Sequence, residues 1–139
     1  MVEITISKKL STNQILRLHY HKKTAYQNDM NNSVHVCCKE QKIEPITEYP
    51  MDFRYEFYLL GNSLDTSNTS GMQKVIEDGL RYAGILKDDS RKFVGEITLV
   101  ERDSKRNYNY CIVTWKKKEL DAQEPVKTPV RKKNNRETP

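Results

Sequence analysis

Cysteine is scarce in this chain and poorly arranged for cross-linking. Only three are present in 139 residues, Cys37 and Cys38 adjacent and Cys111 distant. An odd set of this kind makes a poor disulfide framework and fits a reducing compartment. No CxxC pair and no Cys/His zinc pattern occurs, and His19-Tyr20-His21 and His35-Val36-Cys37 read as ordinary surface or core residues rather than ligands. Long apolar runs are missing too. Nothing approaches the roughly 18 consecutive apolar residues of a membrane span, so no membrane partner is expected. The opening Met1-Val2-Glu3-Ile4 lacks the basic-then-apolar layout of a secretory signal. The expected compartment is the cytoplasm.

What is present is one domain's worth of chain. With 36% hydrophobic and 31% charged residues, a core forms but stays modest. The net charge of +5 suits a nucleic-acid partner. Its distribution is uneven: from Lys116 to Pro139 eight basic residues face four acids, which leaves the body close to neutral. Three of the five prolines lie in that same stretch. Residues 1–117 are therefore expected to be the folded domain and 118–139 a disordered basic tail.

Along the body, Val2, Ile4 and Ile6 alternate as in a short strand. Lys8 to Asn13 breaks that pattern, and Gln14 to Tyr26 and Ser33 to Lys42, with apolar residues at mixed spacing, read as a loop and a helix before Pro45 and Pro50. Met51, Phe53, Tyr55, Phe57 and Leu59 share one face of a clear strand. Met72, Val75, Ile76, Gly79, Leu80 and Ala83 share one side of a helix, with Ser70 as its expected N-cap and Gly84 at its C-terminal end. Two strands follow near Phe93–Val100 and Tyr108–Trp115, joined as a hairpin. The expected fold class is α+β: a single small domain with a four-stranded sheet, helices packed on one face, and the order β-α-β-α-β-β.

The chemistry concentrates between Asp65 and Asp89. Asp65 and Asn68 lie in the loop leaving a strand, Lys74 and Asp78 on the polar side of the helix, and Asp88-Asp89 just beyond it. Taken singly these are ordinary features, a helix-surface i,i+4 pair and two acidic turns. Clustered carboxylates hold hydrated, oxygen-seeking Mg²⁺ or Mn²⁺, and such an ion activates water against a phosphate.

Leu64-Asp65-Thr66-Ser67-Asn68, Lys74-Val75-Ile76-Glu77-Asp78-Gly79-Leu80 and Gly84-Ile85-Leu86-Lys87-Asp88-Asp89 together resemble the RusA-type Holliday junction resolvases. Lys to Asp by four, Asp to Gly by six and Asp to the acidic pair by ten follow the family spacing. Ser11-Thr12-Asn13 is similar to a family loop before the first helix. Two departures stand out: Ser67 occupies the place of the second loop aspartate, and the interval from Asn68 to Lys74 is longer than usual. The resemblance implies a phage-associated, metal-dependent endonuclease for branched DNA, acting as a homodimer in the host cytoplasm with Mg²⁺ or Mn²⁺. It implies Asp65, Lys74 and Asp89 as catalytic residues. Asp65 and Asp89 would share the ion, with Asp78, Asp88 and Asn68 in support. Lys74, Lys87, Arg91, Lys92, Lys116, Lys117 and Lys118 are expected to face DNA. The alternative is a weakened relative that binds junctions, or a host protein, without cleaving.

Truncation at Glu119 is expected to flatten the fall of DNA affinity with salt, because each lost phosphate contact removes counterion release. Titrations of the full and truncated chains at several salt concentrations check this; equal slopes would take the tail off the DNA.

Overall fold

The computed structural model describes residues 1–118. The tail, apart from Lys118, lies outside the described residues. Strand β1 (Val2–Ile6) is followed by helices α1 (Thr12–Leu16) and α2 (Tyr20–Glu40). Strand β2 (Met51–Leu59), a 3-10 turn at Thr66–Thr69, helix α3 (Ser70–Tyr82), and strands β3 (Val94–Asp103) and β4 (Asn109–Lys117) complete the order. The four strands form one sheet in the order β1-β4-β2-β3, and the helices cover one of its faces.

The alternation read from sequence sets that face. Phe53, Tyr55 and Phe57 are almost wholly buried, as are Val2, Ile4 and Ile6, and β4 adds Cys111 and Val113 in register. The buried side of α3 (Met72, Val75, Ile76, Leu80) closes over them. Gly84, with φ near +79°, ends the helix in the left-handed conformation that glycine adopts without a Cβ clash.

Three expectations need correction. Residues 14–42 hold two helices, not one helix and a loop. Ser11 starts α1 with a capping box: its hydroxyl accepts from the Gln14 amide, and Gln14 Oε1 accepts from the Ser11 amide. The 21-residue α2 buries only Tyr26, Met30, Val34 and Cys38, a narrow stripe at four-residue spacing that polar neighbours obscure.

Second, β3 and β4 are not paired as a hairpin. β3 runs parallel to β2 after the α3 crossover and stays at the sheet edge, and β4 returns antiparallel between β2 and β1. Insertion there gives β4 two partners and buries Tyr110, Cys111 and Val113.

Third, Ser70 is the first helical residue and not the cap. Thr69 holds the cap position without a side-chain cap bond. Thr12, 59 positions before Gly71, does the capping: its Oγ1 accepts from the Gly71 amide at 2.9 Å, and it also meets Asn68 O and Ser70 Oγ.

Helix α2 also seals the free edge of β1. Gln41 accepts from the Glu3 amide and donates to the Glu3 carbonyl, while Ser33 donates to the carbonyl of Thr5.

Leu80 is fully buried. Burying such a side chain stabilises by roughly 1.5–3 kcal/mol, and a carboxylate there adds a desolvation cost. Leu80→Asp should therefore abolish the cooperative thermal transition; a variant melting like the parent would remove α3 from the core.

Candidate functional site

The loop carrying Asp65 is held from two sides. Lys9 Nζ donates to the carbonyls of Leu60 and Asn62 at 2.6 and 2.7 Å. Glu101, pointing inward from β3, accepts from Ser63 Oγ and from the Leu64 amide. Asp65 follows with φ near +62° and ψ near 142°, a conformation that side chains other than hydrogen adopt at a cost. Its side chain is exposed and, among the described residues, forms no ion pair. Asn68 lies in the 3-10 turn, its amide donating to the Asp65 carbonyl.

The ion-pair network lies on the outer side of α3. Lys74 Nζ is 2.6 Å from Asp89 Oδ2, 3.2 Å from Glu77 Oε1 and 3.8 Å from Asp78 Oδ1. Arg81 adds a second cation, 3.4 Å from Asp89 and 3.9 Å from both Asp78 and Asp88. Asp88 Oδ1 accepts the Asp89 amide at 2.7 Å, which fixes the turn and aims the second carboxylate at the helix. Lys74, Asp78, Asp88 and Asp89 are thus brought together as the spacing predicts; Asp65 and Asn68 stand apart from this network.

Burial works against the Lys74 ammonium, but its hydrogen bonds to Asp89 and Glu77 outweigh it and hold its pKa above the usual lysine value. The same hydrogen bond holds the Asp89 carboxyl below the usual aspartate range.

Sequence reasoning missed Glu77. Its side chain is buried, and burial pushes its carboxyl above the usual range against the pull of Lys74. Tyr55 and Gln73 are also buried, and neither Tyr55 Oη nor Gln73 Nε2 has a hydrogen-bond partner among the described residues. Burial raises the Tyr55 phenol far above its ordinary value, and the charges of Glu77 and Asp78 add to this. A polar floor beneath the network is therefore built from α3 and β2. The only advance signal is the run Gln73-Lys74…Glu77-Asp78, polar at positions bordering an apolar helix face.

The expected DNA-facing cations divide. Arg91 and Lys92 are exposed. Lys87 is exposed too, with its ammonium 5.9 Å from the centre of the Phe93 ring. Lys116 lines a hollow of about 340 Å³ with Asp52, Arg54, Thr98 and Thr114 on the sheet face away from α3. Lys117 is exposed at the end of β4, and Lys118 is drawn toward Asp52 and Glu96 at 4.0 and 3.8 Å. The last three are thus grouped at the β4 end, beside the outer face and not on α3.

No family model and no curated protein matches the chain.

Removing the ammonium should expose the cost of Glu77. Lys74→Met leaves a buried carboxylate without its donor, worth about 1–3 kcal/mol, nearer the lower figure because Lys74 is half exposed. A Glu with a raised folded pKa destabilises increasingly as pH rises from its unfolded pKa through its folded one. The deficit should therefore be clear at pH 7, mostly gone at pH 4, and largely erased at both by adding Glu77→Gln. Denaturant titrations at the two pH values check this; a deficit independent of pH would assign the loss to something other than Glu77.

Proposed function

We propose that this chain is a metal-dependent endodeoxyribonuclease of the RusA type that acts on branched DNA in the host cytoplasm, as a homodimer. The observation that carries the reading is the 2.6 Å contact between Lys74 and Asp89. It ties the cation opening the motif to the acid closing it, across the helix whose spacing gave the resemblance.

The donor chemistry suits Mg²⁺ or Mn²⁺. All the acids concerned offer hard oxygens, and Mg²⁺ is commonly held by one or two carboxylates while keeping several waters. Among the described residues no group of three or more His, Cys, Asp or Glu side chains is arranged to hold a metal ion by itself. The resemblance has Asp65 and Asp89 hold it, with Asp78, Asp88 and Asn68 assisting directly or through water, which requires the Asp65 loop to close toward Asp89 when the ion and DNA bind. When bound it lowers the pKa of a water and offsets charge on the phosphate. Lys74 then serves as the fixed positive charge beside the phosphate oxygen. Arg81 orients Asp88 and Asp89, and Glu77 helps to hold the Lys74 ammonium in place through its hydrogen bond.

A second reading, a junction binder without cleavage, is favoured by Ser67 in the place of an acid and by the separation of Asp65 from the ion-pair network. Cleavage of a four-way junction with Mg²⁺ or Mn²⁺, run beside a gel shift, separates the two. Under the nuclease reading Asp89→Asn and Asp65→Asn lose cleavage but keep or strengthen junction binding, because a negative charge beside phosphate is removed. Ser67→Asp raises metal affinity. Binding without cleavage in the parent chain would establish the second reading, and full cleavage in the Asp65/Asp89 double variant would end the first.

A further inference from the structure

Between Glu3 and Asp29 the chain has no acidic residue, but it carries Lys8, Lys9, Arg17, Lys22 and Lys23, with His19 and His21 among them. The fold brings cations from both ends of this run together. Lys8, from the β1–α1 connection, and Lys22, from α2, flank one shallow hollow of about 230 Å³ whose lining includes Leu10, Leu18 and Tyr26, with Asp29 as its single acid. Residues 19–25 are exposed at every position, so the first turns of α2 stand clear of the body until Tyr26 enters the core. Among the described residues no carboxylate forms an ion pair with Lys8, Arg17, Lys22 or Lys23. The contrast with α3 is sharp, since Lys74 and Arg81 are each paired with several acids.

The placement relative to the candidate site is fixed by contacts already described. Lys9 binds the carbonyls of Leu60 and Asn62, and Thr12 binds Asn68, Ser70 and Gly71. The β1–α1 connection and the first residue of α1 are therefore joined directly to the loop that carries Asp65 and Asn68, and α1 leads from there into the corner.

We infer that the α1–α2 corner is a nucleic-acid docking surface, on which Lys8, Arg17, Lys22 and Lys23 take the phosphate backbone of a DNA arm leaving the Asp65 loop. A near-neutral body needs such local clustering to hold a polyanion. The projecting turns, His-Tyr-His-Lys-Lys-Thr-Ala, lack the wide apolar face that an interfacial membrane helix requires. The inference rests on the reading of the chain as a DNA-acting protein, though not on cleavage.

The test compares two charge-matched variants of the full chain, Lys22→Glu/Lys23→Glu and Lys39→Glu/Lys42→Glu, whose four lysines are all exposed. Affinity for a synthetic four-way junction and for duplex DNA is measured without divalent metal across a salt series. Acids in the first turn of α2 complement its dipole, so the corner variant should melt no lower than the parent. It should bind both DNAs at least about tenfold more weakly and flatten the log–log salt slope by about 2, whereas the control pair keeps the parental slope. Equal losses in the two variants, or an unchanged slope in the corner variant, would overturn the inference and leave the nuclease reading untouched. Parental binding without cleavage, with the corner effect intact, would support the inference while the nuclease reading fails. A parent that binds neither DNA overturns both. Phosphatidylserine vesicles form a further arm: vesicle binding lost in the corner variant, with DNA binding unaltered, would assign the surface to membranes instead.

Discussion

The helical layer can close over the sheet only where α3 carries a hydrogen in place of a side chain. A Cβ on Gly79 would come within 2.9 Å of Val34 Cγ2, and one on Gly71 within 3.0 Å of Thr12 Cα. The first contact sets how near α2 lies to α3, and the second seats α1 on its N-terminus. Interiors packed to crystal-like density leave little slack for an added methyl against a stiff valine side chain or against backbone. The seating of α1 in turn lets Thr12 reach the Gly71 amide, and it fixes the course of the Asp65 loop beside Lys9. The placement of the candidate site is thus a consequence of helix spacing.

The electrostatics follow from the same arrangement. Lys74 is reached by three carboxylates and Arg81 by three, four acids in all, so both cations are fully paired and the network keeps an excess of negative charge. Exposed pairs of this kind contribute little to stability singly. Their effect is orientational, because two cations sharing Asp89 leave that carboxylate few directions. Glu77 differs, since its buried carboxylate is tolerable only with a donor beside it.

Patterns confined to one strand or one helix were legible in the sequence. The alternation of Met51 to Leu59 and the buried side of α3 survive in the structure almost residue for residue. The Lys74 to Asp89 spacing also identified groups that do meet. Features depending on distant segments were not legible. Nothing local in β3 or β4 says that β2 will separate one from the other. Thr12 as the cap of α3 requires two segments 59 positions apart to be known together. Helix α2 escaped because four buried residues in twenty-one give a stripe too narrow to stand out among polar neighbours. Glu77 escaped because periodicity reports where a side chain points, whereas its burial comes from what packs beside it.

The two ends of the sheet are unlike. At β1, the amide of Gln41 offers one donor and one acceptor to Glu3, as a peptide unit of a neighbouring strand would, and Ser33 takes the next free carbonyl. That edge is closed by counterfeit backbone, borrowed from side chains at the end of a helix. β3 pairs on one side only and has no such covering among the described residues. Unpaired edges are where sheets accept further strands. Among the described residues the sheet is thus directional, its β1 edge capped by side chains and the outer backbone of its β3 edge without a strand partner.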